Sequence, residues 1–326
     1  LVKRFYVDQY VDRILAGDRV VLSRAITLVE STLPSDQELA QSVINRLLPH
    51  TGNSVRLGIT GSPGVGKSTF IEAFGNYLIQ QQNKKVAVLA VDPTSQRSGG
   101  SILGDKTRMA SLANNPAAYI RPSPAGKSLG GVARNTREAL LLCEAAGFNV
   151  IIIETVGVGQ SETAVHSMVD FFLLLLLAGA GDELQGIKKG IMEMADGLTI
   201  TKADGDNLQK AKSARAEYQH ALHLFPSNPS GWNPRVTLCS ALENTGIDAI
   251  WQMMQEYLTL TQNSGHFERK RKEQNLHWLH QTIRHALEEK FFNNKLIQEK
   301  LPNLEKGVAE GQITPFKAAN DLLKLF

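Results

Sequence analysis

Apolar residues along this chain change their spacing twice, and the changes divide it into three parts. Near the start, Val7, Tyr10, Val11 and Ile14 recur at helical spacing. Ala16-Gly17-Asp18 interrupts them, and Val21, Leu22, Ala25, Ile26 and Val29 form a second helical stripe. A third helix is expected over 35–48, and His50-Thr51-Gly52-Asn53-Ser54 reads as a turn-rich joint. From Val55 onward, short apolar runs alternate with helical stretches. Strands are expected at 55–60, 86–91, 150–153, 171–177, 197–201 and 236–239. Helices fall between them, such as 69–80 and 129–146, the latter stopped by Gly147. Strands this uniformly apolar suit a sheet covered on both faces. The pattern predicts an α/β fold, a doubly wound, mostly parallel sheet with N-terminal helices and a C-terminal helical arm.

After about residue 249 the alternation ends. Ile247, Ile250, Trp251, Met254 and Tyr257 make one apolar face. Glu268-Arg269-Lys270-Arg271-Lys272 reads as a charged break, and Leu276, Leu279, Ile283, Leu287 and Phe291 as a long amphipathic helix. The expected organisation is a helical extension over 1–50, an α/β domain over 51–262 and a helical arm over 263–326. The arm has a stripe to bury and little sheet left to bury it on. A partner subunit is one natural solution.

Composition narrows the classes. With 42% hydrophobic and 21% charged residues, the chain is an ordinary globular sequence. A net charge of +3 over 326 residues gives no ground for a nucleic-acid or membrane partner. The run from Arg269 to Lys272 is short and reads as a solvated face. The longest apolar run, 171–180, falls well below the roughly 20 residues of a membrane helix. Lys3-Arg4-Phe5-Tyr6 is not followed by the apolar core of a secretory signal. Cys143 and Cys239 are too few and too far apart for a disulfide framework or a zinc site, which suits a reducing cytoplasm. Cys143, beside Leu140, Leu141 and Leu142, reads as a core residue.

The chemistry gathers at the ends of the expected strands. Gly61-Ser62-Pro63-Gly64-Val65-Gly66-Lys67-Ser68 fits the phosphate-binding pattern G-x-x-x-x-G-K-[ST], between a strand and a helix that begins near Thr69. The glycines let backbone N–H groups point at phosphate oxygens, and the helix N-terminus adds positive potential. Lys67 is placed to reach the β- and γ-phosphates, and the Ser68 hydroxyl to hold Mg²⁺. Thr201-Lys202-Ala203-Asp204 follows another strand and has the form of a guanine-reading element. Guanine presents N1–H and an amino group as paired donors, which the Asp204 carboxylate accepts. Adenine offers a bare acceptor at N1 instead. Ser240-Ala241-Leu242 after the next strand strengthens the assignment. Thr201 stands where asparagine is commoner, and is expected to weaken the link to the phosphate loop. Asp92 and Glu154 end strands beside the loop and are candidate Mg²⁺ ligands, with Asp105 a third. Glu154-Thr155-Val156-Gly157 looks like a D-x-x-G switch with glutamate for aspartate, its Gly157 N–H facing the γ-phosphate. Gln160 is a weaker candidate for orienting water, since it is not adjacent to Gly157. The loops around 99–105 and 179–190, the latter with Lys188, are further switch candidates.

On these residues the chain resembles the MeaB/ArgK family of P-loop GTPases. The likeness is carried by Ala16-Gly17-Asp18-Arg19, the 61–69 loop, Val91-Asp92-Pro93-Thr94-Ser95, the segment 99–109, the segment 154–162 and Thr201-Lys202-Ala203-Asp204. It covers nearly the whole chain. The resemblance implies a GTPase that attends an adenosylcobalamin-dependent acyl-CoA mutase, usually methylmalonyl-CoA mutase, gating cofactor loading and protecting it from inactivation. It also implies GTP and GDP as ligands, Mg²⁺, a homodimer formed through the C-terminal arm, and a cytoplasmic setting. Members of this family have also been described as kinases of amino-acid (arginine/ornithine) transport binding proteins, a second reading that the base-reading element argues against.

Overall fold

A computed structural model describes residues 4–91, 109–122, 129–155, 161–179, 189–226 and 228–326. Among these, the strands are β1 (Val55–Gly61), β2 (Val86–Val91), β3 (Ala118–Arg121), β4 (Val150–Thr155), β5 (Phe171–Leu177), β6 (Gly197–Thr201) and β7 (Arg235–Leu238). They form one sheet in the order β3-β2-β4-β1-β5-β6-β7, each neighbouring pair parallel. The direction of winding reverses at β1, between β4 and β5. Open α/β sheets bind ligands at such a reversal, beyond the carboxyl ends of the strands.

Three helices precede the sheet: α1 (Val7–Leu15), α2 (Arg19–Glu30) and α3 (Pro34–Leu47). Then follow α4 (Lys67–Gln82), α5 (Ala110–Asn114), α6 (Leu129–Ala145), α7 (Ser161–His166), α8 (Lys189–Met194), α9 (Leu208–Leu222) and α10 (Ile247–Asn263). The last are α11 (His266–Phe292), α12 (Lys295–Ala309) and α13 (Pro315–Leu323). The chain forms two compact units, Leu1–Gln274 and Asn275–Phe326. No helix among the described residues is long and apolar enough to cross a membrane.

The apolar run around β5 is explained by cover on both faces. Phe171, Leu173 and Leu175 pack with Phe70, Ile71 and Phe74 of α4 and with Trp251, Met254 and Tyr257 of α10. Leu174 and Leu176, pointing the other way, pack with Ala211, Ala214 and Tyr218 of α9. The N-terminal helices lie against α6. Asp18, in the interruption expected at 16–18, caps α2: its Oδ1 accepts from the backbone N–H of Val20 (2.9 Å) and Val21 (3.0 Å). Its Oδ2 accepts from Arg13 Nε at 3.0 Å. Asp18→Ala should cost about 1 kcal/mol in denaturant unfolding. The Val21 N–H foremost, then Arg13, holds the Asp18 carboxyl below its ordinary value. The cap's contribution is therefore complete above that ordinary value and fades as pH falls through the folded-state value.

Both cysteines are free and buried. Burial pushes the Cys143 thiol well up, and burial with Asp204 nearby pushes Cys239 up to about 12. A thiol-directed reagent at pH 7 should label neither in the native protein and both in denaturant, as counted by mass.

Two features differ from the sequence reading. Strand β3 was not expected; it is a four-residue edge strand, too short to show a period. The second concerns Glu268–Lys272, expected as a helical break with a solvated face. Instead, α11 runs through it unbroken. Lys270 and Arg271 turn inward, with side chains only 17% and 14% exposed. Arg271 Nε and Nη2 donate to the two carboxylate oxygens of Asp170 at 2.8 and 2.7 Å, and Nη2 also to the Ser54 carbonyl at 2.7 Å. Lys270 donates to the Asp170 carbonyl at 2.8 Å. Beside this pair, Arg56 of β1 donates to Glu144 of α6 at 2.9 and 3.1 Å. Glu144 also accepts from the Gly52 N–H and the Ser54 hydroxyl, which fixes the joint before β1.

Within the second unit, α12 packs with α13. Phe291 meets Phe326 edge-on at 5.5 Å. Leu276, Leu279, Ile283 and Leu287 of α11 are each about half exposed or more.

Candidate active site

The glycine-rich loop leaves the end of β1. Gly61 approaches β5 so closely that a Cβ there would fall 2.6 Å from the Leu175 carbonyl oxygen. Gly64 (φ +83°) and Gly66 (φ +95°) lie in the left-handed region, which suits glycine; successive turns of this kind are how a backbone forms an anion-binding concavity. Val65 is fully buried beneath the loop. Helix α4 starts at Lys67 and presents its N-terminus to the same place. Ser62 and Ser68 are half-buried, whereas Pro63 and Thr69 are exposed.

Lys67 Nζ donates to the Gly61 carbonyl at 2.7 Å and to that of Ser62 at 3.3 Å. Burial pulls Lys67 below its ordinary value, while Glu154 and Glu162 work the other way. Glu154, the penultimate residue of β4, pairs with Ile59 of β1 and is buried. The hydroxyl of Thr155 donates to that of Thr60 at 2.9 Å, joining the ends of β4 and β1. Glu162, in the first turn of α7, is 1% exposed. Sequence reasoning gave it no role, although it lies in the segment that follows the switch-like element; its charge bears on Lys67 only because α7 folds over β1 and β4.

The base-reading candidates come to the same edge of the sheet. Thr201 was expected to weaken the tie to the phosphate loop. The structure shows that tie intact: the Thr201 hydroxyl donates to the Val65 carbonyl at 2.7 Å, with the Leu176 carbonyl at 3.1 Å. A threonine hydroxyl is long enough because β6 ends directly under the loop. Lys202 Nζ donates to the Gly64 carbonyl at 3.0 Å, so two consecutive residues bind the loops together. The Ser240 hydroxyl donates to the Asp204 carboxylate and accepts from the Glu243 N–H at 3.1 Å. A small antiparallel bridge between Ser240 and Thr245 holds this turn. Ala241 is half-buried and Leu242 is 78% exposed.

Ser68 and Glu154 are oxygen donors on adjoining elements, the kind of set that suits Mg²⁺. Among the described residues no group of three or more His, Cys, Asp or Glu side chains is placed to hold a metal alone. An ion here would share its ligation with phosphate and water, which is how Mg²⁺ is usually held. Asp92, Asp105, Gly157, Gln160, Lys188 and the loop 99–105 lie outside the described residues, as does most of 179–190.

A glycine loop between β1 and α4 at the reversal point of a seven-stranded parallel sheet is the architecture of a P-loop GTPase. The family model described as methylmalonyl-CoA mutase-associated GTPase MeaB matches residues 22–296, and the chain belongs to that family. A probable GTPase of Mycobacterium bovis is 50% identical over 319 residues, 98% of this chain and 95% of its own. The mouse protein named methylmalonic aciduria type A homolog, mitochondrial, is 46% identical over 331 residues, 98% of this chain and 80% of its own. The crystal structure of an LAO/AO transport system kinase matches with a TM-score of 0.78 at 39% identity, covering 100% of this chain and 99% of that one.

Proposed function

We propose that this GTPase uses the GTP cycle to gate adenosylcobalamin loading into an acyl-CoA mutase of the methylmalonyl-CoA type, and to protect that mutase. The family description and the name of the mouse relative support the partner. The observation that carries the nucleotide assignment is the convergence of Asp204 and Ser240 on a loop tied by Thr201 and Lys202 to Val65 and Gly64. In this reading the amides of 61–69 cradle the phosphates, and Lys67 exchanges its loop carbonyls for β- and γ-phosphate oxygens. It neutralises charge that grows on the leaving phosphate. Asp204 accepts from the guanine edge, Ser240 steadies that carboxylate, and Lys202 lies along the base with Ala241 and Leu242 beside it. Ser68 and Glu154, with Asp92 and Asp105, would hold Mg²⁺, which when bound neutralises charge between the β- and γ-phosphates. Gly157 would report the γ-phosphate. The exposed apolar row of α11 would join two copies into a homodimer, and two buried free thiols suit a cytoplasmic setting.

Asp204→Asn should lower GTP affinity by about tenfold or more, because a charge-assisted hydrogen-bonded pair contributes roughly 1.5–3 kcal/mol. Calorimetric titration checks this, and an unchanged Kd removes Asp204 from the base pocket. For the partner, the mutase should be retained to different extents by the GDP-bound and GTP-analogue-bound protein. Equal retention in both states would end the gating assignment. A second reading, a kinase acting on an arginine/ornithine transport binding protein, is favoured by the solved relative's name. It requires phosphate transfer to protein from labelled ATP; release of free phosphate from labelled GTP alone selects the first.

A further inference from the structure

Ten residues after the switch-like element connect two places that the sequence gives no reason to associate. At one end, Glu162 is buried in the first turn of α7, which packs on β4 and on β1, the strand that leads into the Lys67 loop. At the other, Val169 and Asp170 are gripped by three side chains from the first turns of α11. Gln274 Nε2 donates to the Val169 carbonyl at 2.9 Å, Lys270 takes the Asp170 carbonyl, and Arg271 takes its carboxylate through two nitrogens. Between the ends, Val165, Met168 and Val169 are fully buried. The His166 ring stands edge-on to Phe172 at 5.5 Å. Burial foremost, with Lys270 close by, holds that ring below its ordinary value.

The packing leaves no slack. A Cβ added to Gly58 of β1 would fall 2.7 Å from Phe172 and 3.0 Å from both Val165 and Val169. A close-packed segment of this kind cannot absorb displacement at one end by local give. Asp170 Oδ2 also accepts the Arg56 backbone N–H at 2.8 Å, so the far end is fixed to the strand that feeds the phosphate loop.

We infer that residues 161–170 form a strut coupling the Lys67 pocket to the root of α11, with Glu162 as the positioning residue at the nucleotide end. Coupling here means that nucleotide state and the Lys270–Gln274 grip bias each other by the same free energy. The inference rests on the reading of Lys67 as a phosphate ligand, which nucleotide titration tests separately.

The experiment is amide hydrogen exchange on the full chain with GDP and with a non-hydrolysable GTP analogue, both shown by calorimetry to bind. Backbone amides over 266–275 should exchange at rates differing by on the order of fivefold or more between the two states. Gln274→Ala and Arg271→Lys should each shrink that difference and change the ratio of GDP to GTP-analogue affinity. Glu162→Gln should shrink it from the other end while leaving the stability of the Arg271–Asp170 pair in place. Rates over 266–275 that agree within twofold in the wild-type protein, with both nucleotides bound, overturn the strut whether or not any variant folds. Failure of either nucleotide to bind would instead overturn the site assignment beneath it.

Discussion

Lys67→Ala should abolish measurable GTP hydrolysis, a fall of roughly 10²–10³-fold or more in single-turnover rate. Lys67 is the first residue of α4, held against the Gly61 and Ser62 carbonyls inside a loop built from left-handed glycines. The helix and loop fix the root of its side chain, so only the ammonium has to move, from the two carbonyls to phosphate oxygens. Alanine removes the cation but leaves Glu154 and Glu162 buried close by. The loop then lacks the cation that faces the triphosphate, and affinity falls together with rate. Lys67→Arg should not restore activity, because a planar fork cannot take the place of a compact ammonium between two loop carbonyls. Phosphate release at saturating GTP, with circular dichroism to confirm folding, checks both variants. A Lys67→Ala rate within tenfold of wild type would remove Lys67 from the chemistry.

The parts of this protein that sequence makes legible are those set by local pattern. The apolar strands, the phosphate loop and the first two helices are written in spacing that any short window contains; Asp18 is read as a break and proves to be a cap. What stays hidden depends on partners far along the chain. Edge strand β3 has four residues and no period of its own, and pairs only because β2 offers an open edge. The charge run at 268–272 looks solvated because nothing local shows that Asp170, about a hundred residues earlier, waits for Arg271. Thr201 looks like a weakened contact because its commoner replacement is longer, and the close approach of β6 to Val65 is a property of the sheet. Glu162 is legible as a residue of the switch-bearing segment, yet its place near Lys67 comes only from the packing of α7.

The largest expected loss of stability comes from the face opposite the phosphate loop. Asp170 precedes β5, its side chain is 1% exposed, and its carboxylate receives two nitrogens of Arg271 and the Arg56 backbone N–H. Burial opposes the Arg271 charge, yet the Asp170 hydrogen bonds together with the charges of Asp170, Glu144 and Glu268 outweigh it and hold the guanidinium above its ordinary value. Asp170→Ala deletes the carboxylate while the guanidinium stays largely enclosed against the Gly52 and Ser54 carbonyls. Breaking one side of such a pair typically costs about 3–5 kcal/mol, because a buried charge loses its counter-ion. In a unit of this size that lowers Tm by on the order of 10 °C. The double replacement Asp170→Leu with Arg271→Met should recover much of the loss, since an apolar pair of similar volume removes the uncompensated charge. Chemical denaturation of Asp170→Leu, Arg271→Met and the double variant closes the cycle. A loss below about 1 kcal/mol for Asp170→Ala would show that the pair is solvated in solution and that α11 is not anchored through it.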